Sequence, residues 1–326
     1  MPAANRMIQR DVRVDYPSDG CSPLTVLVYN GGAMFRTALF GVVALACGLA
    51  ATTGLVFGQP AATPSSSPTP VASSAPTPSA PSDPCGSILS IVNRPTVSTG
   101  VCTVRTGHFD VENGYTNTTT TGAGGGSNAN YPQSLLRIGT ADPHLDFEFG
   151  LPSYETSSVG QPVVRGASDM SLATKYELGF TSSADWGLYG AITYPTGSKA
   201  FTAGNAQFTG DFDWGYTISP EFSLAGTLSF NALSGANAAG APQSYFAFIP
   251  SLELSAALPG GPSQISAEYA YYSASGPGLG SKSLIDFVYQ RDFGAHTQFD
   301  VEYGFSPTAI NGQKQHYVGA GLSFMN

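Results

Sequence analysis

Carboxylates recur at every second position inside otherwise apolar stretches of this chain. Asp110 and Glu112, Asp146 and Glu148, Asp211 and Asp213, and Asp300 and Glu302 form such pairs; Glu177, Glu253, Glu268 and Asp286 stand singly in similar surroundings. Two cations, Arg137 and Lys175, share the pattern. Side chains alternate faces along a strand, so these charges fall on the face opposite the large apolar residues. A charge facing lipid is costly at mid-bilayer, so membrane-spanning strands must turn these residues toward a lumen. Gathered there, the acids attract cations and disfavour anions, with Arg137 as their expected basic partner.

Other chemistry is poorly supported. The histidines are His108, His144, His296 and His316. None has a partner three or four residues away, so no zinc site is expected, and no other metal or cofactor is implied. Gly122 to Ser127 is glycine-rich but lacks the Lys-Ser/Thr of a phosphate loop, and it reads as outer surface. A hydrolase of membrane lipids would need a Ser-His pair on the outer wall. His316, with the parity of Val318, is the one candidate, and no convincing serine motif surrounds it. No catalytic residue and no enzyme activity are expected. The net charge of −9 offers no basic patch for nucleic acid.

The elements that position the charges begin with the hairpin 169–194. Met170, Leu172, Thr174, Tyr176 and Leu178 alternate with polar residues, and Trp186, Leu188, Ile192 and Tyr194 repeat the pattern after a polar turn. The same alternation recurs from 107 to the end and predicts twelve strands. The connections should span roughly 116–131, 139–144, 151–168, 179–184, 195–206, 218–221, 231–243, 258–263, 273–282, 292–295 and 306–315. Long and short connections alternate, which predicts an all-β fold: a closed, antiparallel, up-and-down transmembrane β-barrel of about 12 strands over 107–326. Closure also removes the strand edges that lipid would leave unsatisfied.

The first hundred residues read differently. Residues 34–58 have a short basic start, an apolar run and small residues at the exit, as a secretory signal peptide does. A retained helix or a lipid anchor at Cys47 are alternatives. Residues 1–33 carry charges and prolines foreign to a signal and are expected to be a non-native extension. Residues 59–84, mostly Pro, Ala, Ser and Thr, form a solvated linker. Cys85 and Cys102 are expected to pair in an exported chain, bracketing 85–106 as a periplasmic segment that staples the start of the barrel. A plug or a partner-docking element is the alternative for that segment.

The chain resembles the small outer-membrane barrels of the meta-pathway of phenol degradation family, often called transporters. The resemblance rests on Asp169-Met170-Ser171-Leu172-Ala173-Thr174-Lys175-Tyr176, Tyr194-Pro195-Thr196-Gly197 and Val318-Gly319-Ala320-Gly321-Leu322-Ser323-Phe324. Asn93-Arg94-Pro95-Thr96-Val97 and Tyr131-Pro132-Gln133-Ser134-Leu135-Leu136-Arg137-Ile138-Gly139 add to it. It covers roughly 85–326. It implies a barrel in the outer membrane of a Gram-negative bacterium that passes small solutes, hydrophobic or aromatic compounds among them. The implied partners are outer-membrane lipid, those solutes and the barrel-insertion machinery, which reads the terminal strand; here Met325 and Asn326 follow Phe324. Between 59 and 326 there are 19 acids and 9 bases, so an open lumen would be acidic. The alternatives are a filled, non-conducting barrel that displays loops, and the lipid hydrolase.

Overall fold

A computed structural model describes residues 83–326 apart from 123, 160–161, 238–239 and 308–312. The readings of 1–33, of the signal 34–58 and of nearly all of the linker 59–84 fall outside those residues. After a short helix, α1 (Ile88–Ile91), the chain is β-structure. The strands are β1 (Phe109–Thr121), β2 (Gly126–Tyr131), β3 (Leu135–Gly139), β4 (Leu145–Gly150), β5 (Tyr154–Ser157), β6 (Val164–Ala167), β7 (Met170–Phe180) and β8 (Ala184–Tyr194). They continue as β9 (Gln207–Thr217), β10 (Phe222–Ala236), β11 (Pro242–Ala257), β12 (Ser263–Tyr272), β13 (Lys282–Phe293), β14 (Thr297–Phe305) and β15 (Lys314–Met325).

Neighbouring strands pair antiparallel, and β15 returns to β1 with Asp110 opposite Met325 and Thr121 opposite Lys314. The sheet is a closed barrel of twelve staves. The difference between fifteen strands and twelve staves comes from three breaks. β2 and β3 both pair with β1, β4 and β5 pair with β3 and β2, and β6 and β7 pair with β5 and β4. Staves two, three and four are therefore each interrupted at one height, at 132–134, 151–153 and 168–169. Gly114 N–H donates to Pro132 O, Leu151 N–H to Ser134 O and Ser168 N–H to Ser153 O, so the wall stays hydrogen-bonded across the breaks.

The pleat sorts the side chains. Phe147, Phe208, Leu252, Phe287 and Leu322 are about half exposed on the outside, as a lipid-facing wall requires. Aromatic residues mark both ends of that wall. Phe109 and Phe324 meet near the end with short turns, and Tyr131 packs between Tyr115 and Tyr154 toward the other.

The loop lengths need correction. Only 122–125 joins β1 to β2, 158–163 joins β5 to β6 and 237–241 joins β10 to β11. Most of the expected loops 116–131 and 231–243 is strand, and β5 and β6 lie within the expected loop 151–168. Thr116 to Thr121 is polar on both faces, because a stave that rises past the hydrocarbon no longer needs an apolar outer side. Alternation ends there although the hydrogen-bonded ladder continues. Residues 195–206 remain a true loop. Asp169 accepts from the N–H groups of Gly197 and Ala203 and fixes that loop against the broken fourth stave.

Candidate functional site: a segment seated in an acidic lumen

The fourteen charged residues expected to face inward are all buried. Asp110, Glu112, Arg137, Asp146, Glu148, Lys175, Glu177, Asp213, Glu268, Asp286 and Asp300 are at most 2% exposed, and Asp211, Glu253 and Glu302 at most 9%. Twelve are acids. The structure gathers Arg137 with Asp146 at 2.8 Å, Glu148 at 3.1 Å and Glu112 at 3.8 Å. Lys175 lies 3.9 Å from Glu148. Two basic residues cannot neutralise twelve acids, and buried charge without a partner is costly. Much of the compensation comes from elsewhere in the chain.

It comes from the disulfide-bracketed segment. Cys85 and Cys102 are bonded and pack with Ile91, Val104 and Met325 in a small apolar cluster. From the sequence, this segment is expected as a periplasmic staple at the start of the barrel, with a plug or a docking element as the alternative. Its residues 91–104 bond to side chains on the inward face, the placement that the plug alternative describes. Asn93 and Arg94 donate their backbone N–H groups to the two oxygens of Glu112, at 3.1 Å each. Val97 and Ser98 do the same to Glu268, at 2.7 and 2.6 Å, and the Ser98 hydroxyl also donates to that carboxylate. Thr99 donates its hydroxyl to Asp213, and Val104 N–H reaches Asp146.

The lumen cations serve the segment in the opposite sense. Arg137 donates to the carbonyls of Ile91 and Cys102, and Lys175 to Gly100 O and the Asn93 side chain. Backbone donors therefore meet the acids, and backbone acceptors meet the bases. Hydrogen bonds to ionised groups are the stronger kind, and here they satisfy the polar backbone of an irregular segment. An inserted peptide without regular structure needs such partners, which explains why so polar a lumen suits it.

Arg94 makes the segment's most elaborate contact. Its guanidinium donates to Gln133 at 2.8 Å and lies 3.8 Å from Asp300. It occupies the space a side chain at Gly114 would need, and its Nε approaches Gly321 within 2.6 Å of where a Cβ would stand. Gly114 and Gly321 are register partners in the closing β1–β15 ladder. Gln290, on β13, donates to Arg94 O at 2.9 Å.

Several of these residues escaped sequence reasoning. Gln290, Thr227 and Ser251 have inward parity but carry no charge, so nothing marked them. Arg94 precedes the first strand and has no alternation to reveal it, although its Asn-Arg-Pro context was already notable. Arg105, 3.5 Å from Glu177, was missed for the same reason. Asp83, Cys85 and Glu177 bring ligand-type atoms together, but the Cys85 sulfur is spent in the disulfide. His316 stands on β15 opposite Thr119 and Phe305, and neither supplies the serine that a hydrolase would need.

Comparisons with known proteins agree with this architecture. The COG4313 outer membrane channel from Pseudomonas putida F1 aligns over 69% of this chain and 97% of its own, at 11% identity and a TM-score of 0.51. The NanC porin aligns over 66% and 98%, at 9% identity and TM-score 0.44. The translocator domain of the autotransporter NalP from Neisseria meningitidis aligns over 66% and 88%, at 12% and 0.45. At 11% identity the likeness to the COG4313 channel concerns the fold alone, that of an outer-membrane barrel. No protein of curated function matches the chain in sequence. The family described as "Putative MetA-pathway of phenol degradation" matches residues 92–324, so the chain belongs to that family, with the lumen segment from Val92 onward inside the match.

Proposed function

We propose that this protein is an outer-membrane channel or transporter for small solutes, whose lumen is acidic and partly occupied by its own segment 85–106. The observation that carries this reading is the polar, carboxylate-lined interior behind a closed, lipid-facing wall. A barrel built only as a scaffold could fill its core with apolar side chains at far lower electrostatic cost. Twelve staves lie between the eight that side chains nearly fill and the sixteen that leave a wide channel. A barrel of this size can hold a plug and still leave a path. Solutes that suit the lumen are neutral or cationic, because inward carboxylates disfavour anions. The family's description points to phenolic chemistry, which favours uncharged aromatic compounds as the class to try first.

The network around Arg137 and Glu268 also supports a second reading, a sealed barrel whose lumen carries nothing. Two measurements on the purified, folded chain separate them. Planar-bilayer recordings should show discrete, cation-preferring conductance. Liposome uptake should favour small aromatics or cations over anions and sugars. Absence of both conductance and uptake for every solute would leave only the sealed barrel.

A further inference from the structure

The segment does not fill the short-turn end evenly. Its anchors to charged groups cluster on β1, β3, β4 and β7 through Glu112, Arg137, Asp146 and Lys175, and only its tip, residues 97–99, reaches β9 and β12 through Asp213 and Glu268. Beside those tip contacts a cavity of about 260 Å³ is lined by residues from 84–102 and by the wall formed by β8 to β13. Hydroxyl and amide side chains line it, Ser90 from the segment and Ser255 and Gln264 from the wall among them. Two carboxylates, Asp185 and Glu253, also line it. Arg94 is the one cation among the lining residues, and its guanidinium points away into the notch at Gly114 and Gly321. The charge of the cavity is therefore uncompensated.

The inner end of the cavity meets the tip of the segment. Glu253 is the cross-strand neighbour of Glu268, the carboxylate that Val97 and Ser98 hold. Thr99 bonds Asp213 on β9, and the Ser98 and Ser251 hydroxyls are 2.8 Å apart. Most lumen acids that touch the segment are thus occupied by its donors. Glu253 takes no donor from the segment: the Ser255 hydroxyl donates to it at 2.8 Å, Ser266 on the neighbouring strand also bonds it, and it lines the cavity.

We propose that solutes pass beside the segment through this eccentric cavity, with Glu253 as the residue that sets its preference for cations and Asp185 supporting it. This inference rests on the channel reading above, and it adds the route and the selecting residue. A carboxylate in a narrow, water-poor passage acts more strongly than one at a surface, because the field is less screened.

The test is reversal potential in a KCl gradient for the wild-type chain, Glu253→Gln and Glu221→Gln. Glu221 is an acid in the turn before β10, outside the cavity. Glu253→Gln should lower the cation-over-anion permeability ratio roughly twofold or more, whereas Glu221→Gln should leave it unchanged. Equal shifts in both variants would mean a general surface field and would overturn the proposal, as would no shift in Glu253→Gln. A second arm guards against misfolding. In Ser255→Cys a positively charged methanethiosulfonate should reduce conductance, reacting about tenfold faster than a negatively charged one. A conducting Ser255→Cys barrel indifferent to both reagents would overturn the route yet leave the channel reading intact. A wild-type chain with neither conductance nor uptake would instead remove the channel reading itself.

Discussion

Gly114 and Gly321 face each other across the β1–β15 seam, and together they leave the opening that the Arg94 guanidinium fills. Two staves from opposite ends of the barrel sequence thereby make one socket for a residue that precedes both. Neither glycine is needed for a left-handed turn; each is needed because another group approaches closely. Gly114→Val should expel the guanidinium from the socket. Overpacking should cost about 1–3 kcal/mol of barrel stability. The segment around Arg94 should also become cleavable by protease while the barrel resists. Denaturant titration and limited proteolysis together check this, and intact protection of 91–104 would refute it.

Arg137 is fully buried, with three carboxylates and two backbone carbonyls around it. Arg137→Met removes the only group that answers all of them, and the remaining acids stay buried without their cation. The expected loss is about 3–5 kcal/mol, the range for breaking a buried ion pair by removing one partner. Arg137→Lys should recover only part of it, because an ammonium cannot span the positions that the planar fork reaches. Urea-induced unfolding in detergent micelles measures both variants.

The outer wall predicts the opposite sensitivity. Leu252 is 45% exposed between Gly226 and Tyr269, with its side chain on the lipid face. Leu252→Arg should destabilise the folded barrel in bilayers by about 2–4 kcal/mol, and the loss should shrink for sites nearer the rims. Ser251→Ala, one residue away and inward, loses only a hydroxyl pair with Ser98 and should cost about 1 kcal/mol. Equal costs for the two variants would contradict the assigned faces.

Much of the barrel was legible because lipid enforces a rule that sequence can express. Where a stave crosses hydrocarbon, as at Phe208 to Tyr216 or Phe299 to Phe305, every second side chain must be apolar, and the alternation is plain. The rule lapses beyond the membrane, so Thr116 to Thr121 concealed the upper half of β1, and the short runs 126–131, 154–157 and 164–167 concealed the far parts of the three interrupted staves. The lumen acids were visible as well, because charge has one tolerable face in such a wall. What they hold was less visible. Residues 91–104 have no period, and their contacts are made by backbone groups that every residue type carries. Glu112 and Glu268 read as bare carboxylates until their partners are seen to be the N–H groups of Asn93, Arg94, Val97 and Ser98.

The bond between Cys85 and Cys102 also bears on biogenesis. It closes a 17-residue separation into a ring whose contacts reach β1 at Glu112, β9 at Asp213 and β12 at Glu268. Those staves come from distant parts of the chain, so the ring's pocket exists only once the cylinder is joined. The ring's seat is therefore a property of the completed cylinder, and no single hairpin of the wall could hold it.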